Sequence, residues 1–172
     1  MIAKPAVLIA VAVSLRLLVA EAYWVPSRSM EPSLEPGDHV LVTRMFGSSP
    51  LRGEIVVFRN EEGHVLVKRV IGLPGDSVDV VGSRVSINGT TLSEPYAIAS
   101  AQPGHTTHLV PAGHYFMMGD NRGNSEDSRV IGFIPQDAIV GRARLIYWST
   151  SAADAAPPGS AVRWNRIFEP VR

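Results

Sequence analysis

The 172-residue chain predicts a mainly β protein: a partly barrel-like antiparallel β domain with a small β-hairpin accessory subdomain and one N-terminal transmembrane helix. Three observations carry this. Short β-prone runs recur along the chain, broken by Gly and Pro; Asn88-Gly89 stands between two of them; and an apolar segment precedes them all. There is no internal repeat.

The N-terminus, MIAKPAVLIAVAVSLRLLVAEAYW, reads as an apolar helix, uncharged from Pro5 to Leu15. A spanning helix needs about 20 apolar residues. Lys4 and Arg16 would snorkel towards the headgroups and leave a short single pass reaching towards Ala20. Ala20-Glu21-Ala22 also resembles the small-residue cleavage site of a secretory signal, the competing reading. A serine-rich turn follows with no spacer, which favours a retained anchor. Flanking charge does not fix its orientation, because basic groups lie on both sides.

From Val25 the strands are expected in HVLVTRMF, GEIVVF, HVLVKRVIG, SVDVV, RVSINGTTL, HYFMMGD and ARLIYW. Asn-Gly favours the positive backbone angles of a tight hairpin between RVSI and TTL. Residues Ser149 to Ala161, STSAADAAPPGSA, read as a small-residue linker before RWNRIF. The organisation is then anchor and exit segment over residues 1–24, β-rich domain over 25–150 with 77–118 as a small insertion, and linker plus C-terminal segment over 151–172.

Composition narrows the chemistry. Basic and acidic residues balance at 16 each, so no broad cationic face for nucleic acid is expected. Cysteine is absent, which excludes disulfides, thiolate metal sites and a thiol nucleophile. Any nucleophile must be a hydroxyl, an amine or a carboxylate. Only Lys4 and Lys68 are lysines; the other basic residues are arginines. Arginine stays protonated, whereas a desolvated lysine can give up its proton.

Lys68 lies in VLVKRVIG, where strand alternation sets Leu66, Lys68 and Val70 on one face and Val67, Arg69 and Ile71 on the other. At an ordinary pKa of about 10.4, roughly one lysine in 2500 is neutral at pH 7. An apolar surround would lower the pKa and make the amine a usable general base. The plain alternative puts Lys68 on a solvated strand face. Arg69 next door complicates that, because only one of the pair should face water.

The stretch VPSRSMEPSLEPGD places Ser27, Ser29 and Ser33 in a proline-rich turn. A serine hydroxyl needs a base, and a serine-lysine pair supplies one. Pro26 and Pro32 would restrict the backbone around Ser29. Ser27 would offer a hydroxyl to a developing oxyanion beside the Ser29 N–H. An ordinary capped turn remains the alternative. A GxSxG elbow is missing, and His39, His64, His105, His108 and His114 fall at strand edges or in Gly/Pro-rich loops, with no paired cluster. No metal site and no cofactor are expected.

The stretch GDNRGNSEDSR, Gly119 to Arg129, reads as a turn-rich loop. Its default state is solvated. Its two arginines, acidic groups and Ser125 would alternatively build an internal polar network around a buried lysine, with Ser125 at the amine.

Four ordered blocks, PSRSMEPSL, GDHVLV, KRVIGLPGD and GDNRGNSEDSR, together resemble the type I signal peptidases, and RWNRIF resembles that family's ending. With the upstream segment and GEIVVF the resemblance covers nearly all of residues 5–148. It implies a membrane-bound serine endopeptidase that removes signal peptides from exported preproteins. By that resemblance Ser29 is the nucleophile and Lys68 the general base. Ser27 and the Ser29 N–H form the oxyanion hole, and Ser125 orients the lysine. Asp127 with Arg129, and Asp120 with Arg69, are structural ion pairs, and Gly119 lets the loop backbone pass close to the lysine. Arg28 stands where the family has a small residue, so a positive φ there would strain it.

The resemblance further implies cleavage after small residues, A-x-A, in shallow apolar pockets, for which Val25, Pro26, Met30, Leu34, Leu66 and Val67 are the candidate lining. It places the chain in the bacterial plasma membrane with its domain outside. By the same resemblance its expected partners are signal-peptide-bearing preproteins, the lipid bilayer and the export translocon, with no nucleic acid. The stretch MFGSSPL, Met45 to Leu51, is expected to meet the membrane surface. A related pilus or conjugation maturation peptidase and a non-catalytic membrane-tethered β module are the rival readings.

Overall fold

The computed structural model describes residues 20–99, 104–151 and 161–172. Strands β1 (Ala20–Trp24), β2 (Asp38–Arg44), β3 (Ile55–Arg59) and β4 (Val65–Gly72) come first. An accessory set follows, β5 (Ser77–Val81), β6 (Arg84–Ile87), β7 (Thr90–Thr91) and β8 (His105–Leu109). The chain then makes β9 (His114–Met118), a one-turn helix α1 (Ser128–Ile131), β10 (Ile134–Pro135), the long β11 (Ile139–Ser149) and β12 (Glu169–Pro170).

The main sheet is eight-stranded, in the order β1-β2-β11-β3-β4-β9-β10 with β12 on β11, and every pairing is antiparallel. Bulges between Ala143 and Leu145 and between Ile146 and Trp148 interrupt the register of β11 with β2. The path ends at β1 and β10 without joining them, so the barrel is not closed.

Each strand is buried as its composition dictates. In β2, Asp38, Val40 and Val42 point inward and alternate with more exposed neighbours. In β3 the run IVVF is buried on both faces, the pattern of a strand with layers on either side. The second half of β4, from Lys68 to Gly72, is likewise buried throughout. The expectation that one of Lys68 and Arg69 faces water is therefore wrong. Val67 packs against a cluster containing Val25, Met30, Leu34, Val40 and Val57, while Leu66 and Val70 belong to one containing Val56, Phe58, Tyr115 and Met117.

Several expectations need correction. Ala20–Trp24 is a strand in register with β2, Ala20 opposite Thr43 and Trp24 opposite His39, and does not continue a helix. Residues 1–19, where the anchor is expected, lie outside the described residues. Among the described residues, no helix is long and apolar enough to cross a membrane. The accessory insertion is larger than a hairpin, a four-stranded sheet in the order β7-β6-β5-β8. The Asn-Gly turn is present, with φ of 51° at Asn88 and 80° at Gly89. His105 and His108 sit on β8, where a loop was expected. Of the linker, residues 152–160 lie outside the described residues; its flanks pair through Thr150 and Val162.

Candidate functional site

The Ser29 turn stands on apolar feet. Met30 and Leu34 are joined by a main-chain bond from Leu34 N to Met30 O of 2.8 Å, and with Val25 they sink into the core under the turn. The turn is closed by Val25 N to Asp38 O at 2.8 Å and Gly37 N to Val25 O at 2.9 Å. Arg28 is not among the residues of positive φ, so the strain considered for it does not arise.

Lys68 Nζ lies 2.7 Å from Ser29 Oγ, and both residues are buried, 3% and 7% exposed. Among the described residues Lys68 makes no salt bridge. Burial pushes its pKa down to about 8, against the opposing pull of the Asp127, Glu126 and Asp120 charges. Ser27 is exposed, and its Oγ lies 3.2 Å from Ser29 Oγ. No hydrogen bond engages the Ser29 N–H among the described residues.

The GDNR loop is internal at Asp120, Arg122, Asp127 and Ser128, while Gly123, Asn124 and Glu126 face solvent. Asp127 accepts from Gly119 N at 2.9 Å and from Ser125 Oγ at 2.8 Å. Arg129 grips it through Nε at 2.7 Å and Nη2 at 2.8 Å. Burial alone would raise the Asp127 pKa, but these donors, Arg129 first, hold the carboxyl below its ordinary value. Ser125 therefore spends its proton on a carboxylate, and among the described residues no hydrogen bond joins it to Lys68. A Cβ on Gly119 would come within 2.2 Å of Ser125 Oγ and 2.5 Å of the Ser29 carbonyl oxygen. The close approach expected of this glycine is thus to Ser29 and Ser125. Arg69 forms a two-pronged pair with Asp120, at 2.8 and 2.6 Å, and lies 3.9 Å over the Tyr96 ring.

The candidate lining divides. Val25, Met30 and Leu34 are core, with Leu34 at 0% exposure, so they form a floor and offer no open wall. Pro26 is exposed, and Leu66 and Val67 are partly so. Among the described residues, no group of histidines and carboxylates is arranged to hold a metal.

Sequence reasoning missed two networks. Glu94 and Tyr96 join Arg122 and Arg69 around the GDNR loop. At the C-terminus, Arg163 and Arg166 converge on Glu35 and Asp38, and Ser149 Oγ donates to Asp38 at 2.7 Å. The lone carboxylate in SEPY and the arginine spacing in RWNR were the available signals.

A family model described as signal peptidase, peptidase S26, matches residues 1–148, and the chain belongs to that family as a hydrolase of the signal peptidase I type. Signal peptidase I of Leptolyngbya laminosa is 38% identical, over 88% of this chain and 81% of the relative. A probable signal peptidase I-1 of Synechocystis is 39% identical, over 96% of this chain and 87% of its own length. Signal peptidase I of Bacillus amyloliquefaciens is 39% identical, over 83% and 85%. A signal peptidase I crystal structure from Enterococcus faecalis aligns with a TM-score of 0.49 and 34% identity, covering 55% of this chain and 97% of that one. The non-catalytic reading falls with the family assignment.

Proposed function

We propose that this peptidase cuts signal peptides from preproteins with Ser29 as nucleophile and a neutral Lys68 as general base. The observation that carries the reading is the buried 2.7 Å contact between Lys68 Nζ and Ser29 Oγ. At a pKa of about 8, roughly a tenth of the lysines are neutral at pH 7. The neutral amine takes the Ser29 proton as Oγ bonds to the scissile carbonyl carbon. The oxyanion is met by the free Ser29 N–H and the Ser27 hydroxyl. Collapse breaks the C–N bond, and the lysine ammonium returns its proton to the leaving amine. Water, deprotonated by the same amine, then hydrolyses the acyl-enzyme.

Strand addition supports an extended substrate. β9 pairs with β4 only from Arg69 onward, so Leu66 to Lys68 keep a free edge on the side away from β3. A chain laid there would run past Leu66 and Val67 to Ser29, over the floor of Val25, Met30 and Leu34. Small residues, as in A-x-A, would let such a chain lie close against that buried floor.

Membrane tethering is supported by position. Ala20 pairs with Thr43, so the chain's entry into β1 lies beside the loop that follows β2. In that loop Phe46 is 69% and Leu51 61% exposed. In the full chain in vesicles, with Trp24, Trp148 and Trp164 changed to Phe, emission from Phe46→Trp should be quenched by brominated lipid; unquenched emission refutes the contact. The catalytic reading is tested on a preprotein with wild type, Ser29→Ala and Lys68→Ala. Both variants should lose cleavage, and full activity in either removes the mechanism.

A further inference from the structure

The strand-poor segment Glu94–Ile98, which leaves the accessory sheet, touches no part of the Ser-Lys contact. It nevertheless grips the loop that packs against Ser29. Ile98 N donates to Asp120 O at 2.8 Å, and Arg122 N donates to Ile98 O at 3.2 Å, forming a parallel bridge across Asn121. Glu94 holds Arg122 by two prongs, Nη1 at 3.0 Å and Nη2 at 2.5 Å, with side chains 8% and 1% exposed. Tyr96 donates its hydroxyl to Glu94 at 3.1 Å while its ring lies under Arg69.

The third donor of Arg122 carries this grip to the site. Arg122 Nε donates to Gly119 O at 2.9 Å. Gly119 abuts the Ser29 carbonyl and Ser125, and Asn121 N donates to that same Ser29 carbonyl at 3.1 Å. The main chain from Gly119 to Arg122 is therefore held on one side by Asp127 and on the other by the strap. A guanidinium has a fixed fork, so orienting two of its nitrogens on Glu94 also orients the third.

Resting on the proposed roles of Ser29 and Lys68, we infer that Glu94 is a positioning residue. Acting through Arg122 and Gly119, it sets the Ser29 turn, and the accessory sheet serves the reaction through this strap. Without Glu94 the Arg122 fork is free to turn, the Gly119 carbonyl loses its donor, and Ser29 drifts against Lys68. Small displacements of a nucleophile are costly to rate, about a hundredfold for roughly 1 Å, while the substrate edge of β4 is untouched.

The test compares wild type with Glu94→Gln, Glu94→Asp and Arg122→Lys in the full chain. Each is assayed for kcat and KM per acylatable Ser29, counted by active-site titration, and for Tm. Arg122→Lys keeps the charge facing Glu94 but loses the fork that reaches Gly119. The expected result is a drop of at least tenfold in kcat per titrated site in Glu94→Gln and Arg122→Lys, with KM within about twofold. Glu94→Asp should fall between them and wild type. A purely structural role would lower Tm or the number of titratable sites and leave kcat per site at the wild-type value. That outcome in any folded variant overturns the inference. The dyad reading stands or falls separately, on whether Ser29→Ala and Lys68→Ala still cut.

Discussion

Lys68 and Arg69 are consecutive on β4 and equally buried, 3% and 2% exposed, yet only Arg69 meets a carboxylate. Arg69 is neutralised by both oxygens of Asp120 and by further acceptors at Gly53 O and Ser33 Oγ. Lys68 has Ser29 Oγ and distant negative charge alone. A buried cation without a close partner is costly, so the strand keeps one cation charged and makes the other easy to discharge.

The activity of the enzyme should follow that discharge. With Lys68 near a pKa of about 8, kcat/KM should rise roughly tenfold per pH unit below 7 and level off above about 9. Measured pH profiles check it. A limb centred at the ordinary lysine value would show that burial does not discharge Lys68, and a flat profile would show that its amine is not the base. Lys68→Arg, which cannot discharge, should be inactive at every pH.

The same depressed pKa bears on stability. Between about 8 and 10.5 the unfolded chain holds a proton on Lys68 that the folded chain does not. The unfolded state therefore binds more protons, and stability rises with pH through that window. Below about 8 the whole penalty is present, an order of magnitude of roughly 3 kcal/mol at about 1.36 per unit. Lys68→Met, similar in length and uncharged, should lose cleavage while matching or exceeding wild type in Tm at pH 7. A clear fall in Tm would mean that the charged lysine is stabilising.

At Gly119 the constraint is space alone. A Cβ there would meet Ser125 Oγ at 2.2 Å and the Ser29 carbonyl at 2.5 Å. Gly119→Ala should lower kcat by about a hundredfold, because the turn must move to admit it. Adding Ser125→Gly should recover only part of that loss, since the clash with Ser29 is with main chain. Wild-type rates in Gly119→Ala would remove the close approach.

Much of this fold was legible in the sequence wherever apolar period and turn chemistry agreed. β2, β3, β4 and the Asn88-Gly89 hairpin are of that kind. β8 was not legible, because HTTHL has no apolar alternation and owes its place to pairing with β5. AEAYW continues an apolar run that favours helix, and nothing local reveals β2 as the partner that makes β1 a strand. At the site, Lys68 drew attention as one of two lysines, set in an apolar row. Glu94 could not be read, since its partner Arg122 is 28 residues away. Arg69 looked anomalous only because one face of β4 was assumed to be wet.

The C-terminal segment carries the last expectation. Arg166 is buried against Asp38, with Nε at 3.1 Å from Oδ1 and Nη2 at 2.7 Å from Oδ2, and Nη2 also reaches Ser33 O at 3.1 Å. Arg163 shares Asp38 through Nη2 at 3.1 Å and also pairs with Glu35. Burial works against the Arg166 charge, but Asp38, Glu35 and Glu169 together outweigh it and raise the arginine's pKa. These contacts tie RWNRIF to the end of the Ser29 turn, so the tail is a staple for residues 33–38. Removing one partner of a buried pair costs about 3–5 kcal/mol when the other charge is stranded. Arg166→Ala should approach the lower end of that range, because Asp38 keeps Arg163 and Ser149. Arg163→Ala should cost less, since Arg163 is more exposed and Asp38 retains both prongs of Arg166. Thermal unfolding of the two variants decides the order, and a larger loss in Arg163→Ala would show that Arg163, not Arg166, is the principal arm of the staple.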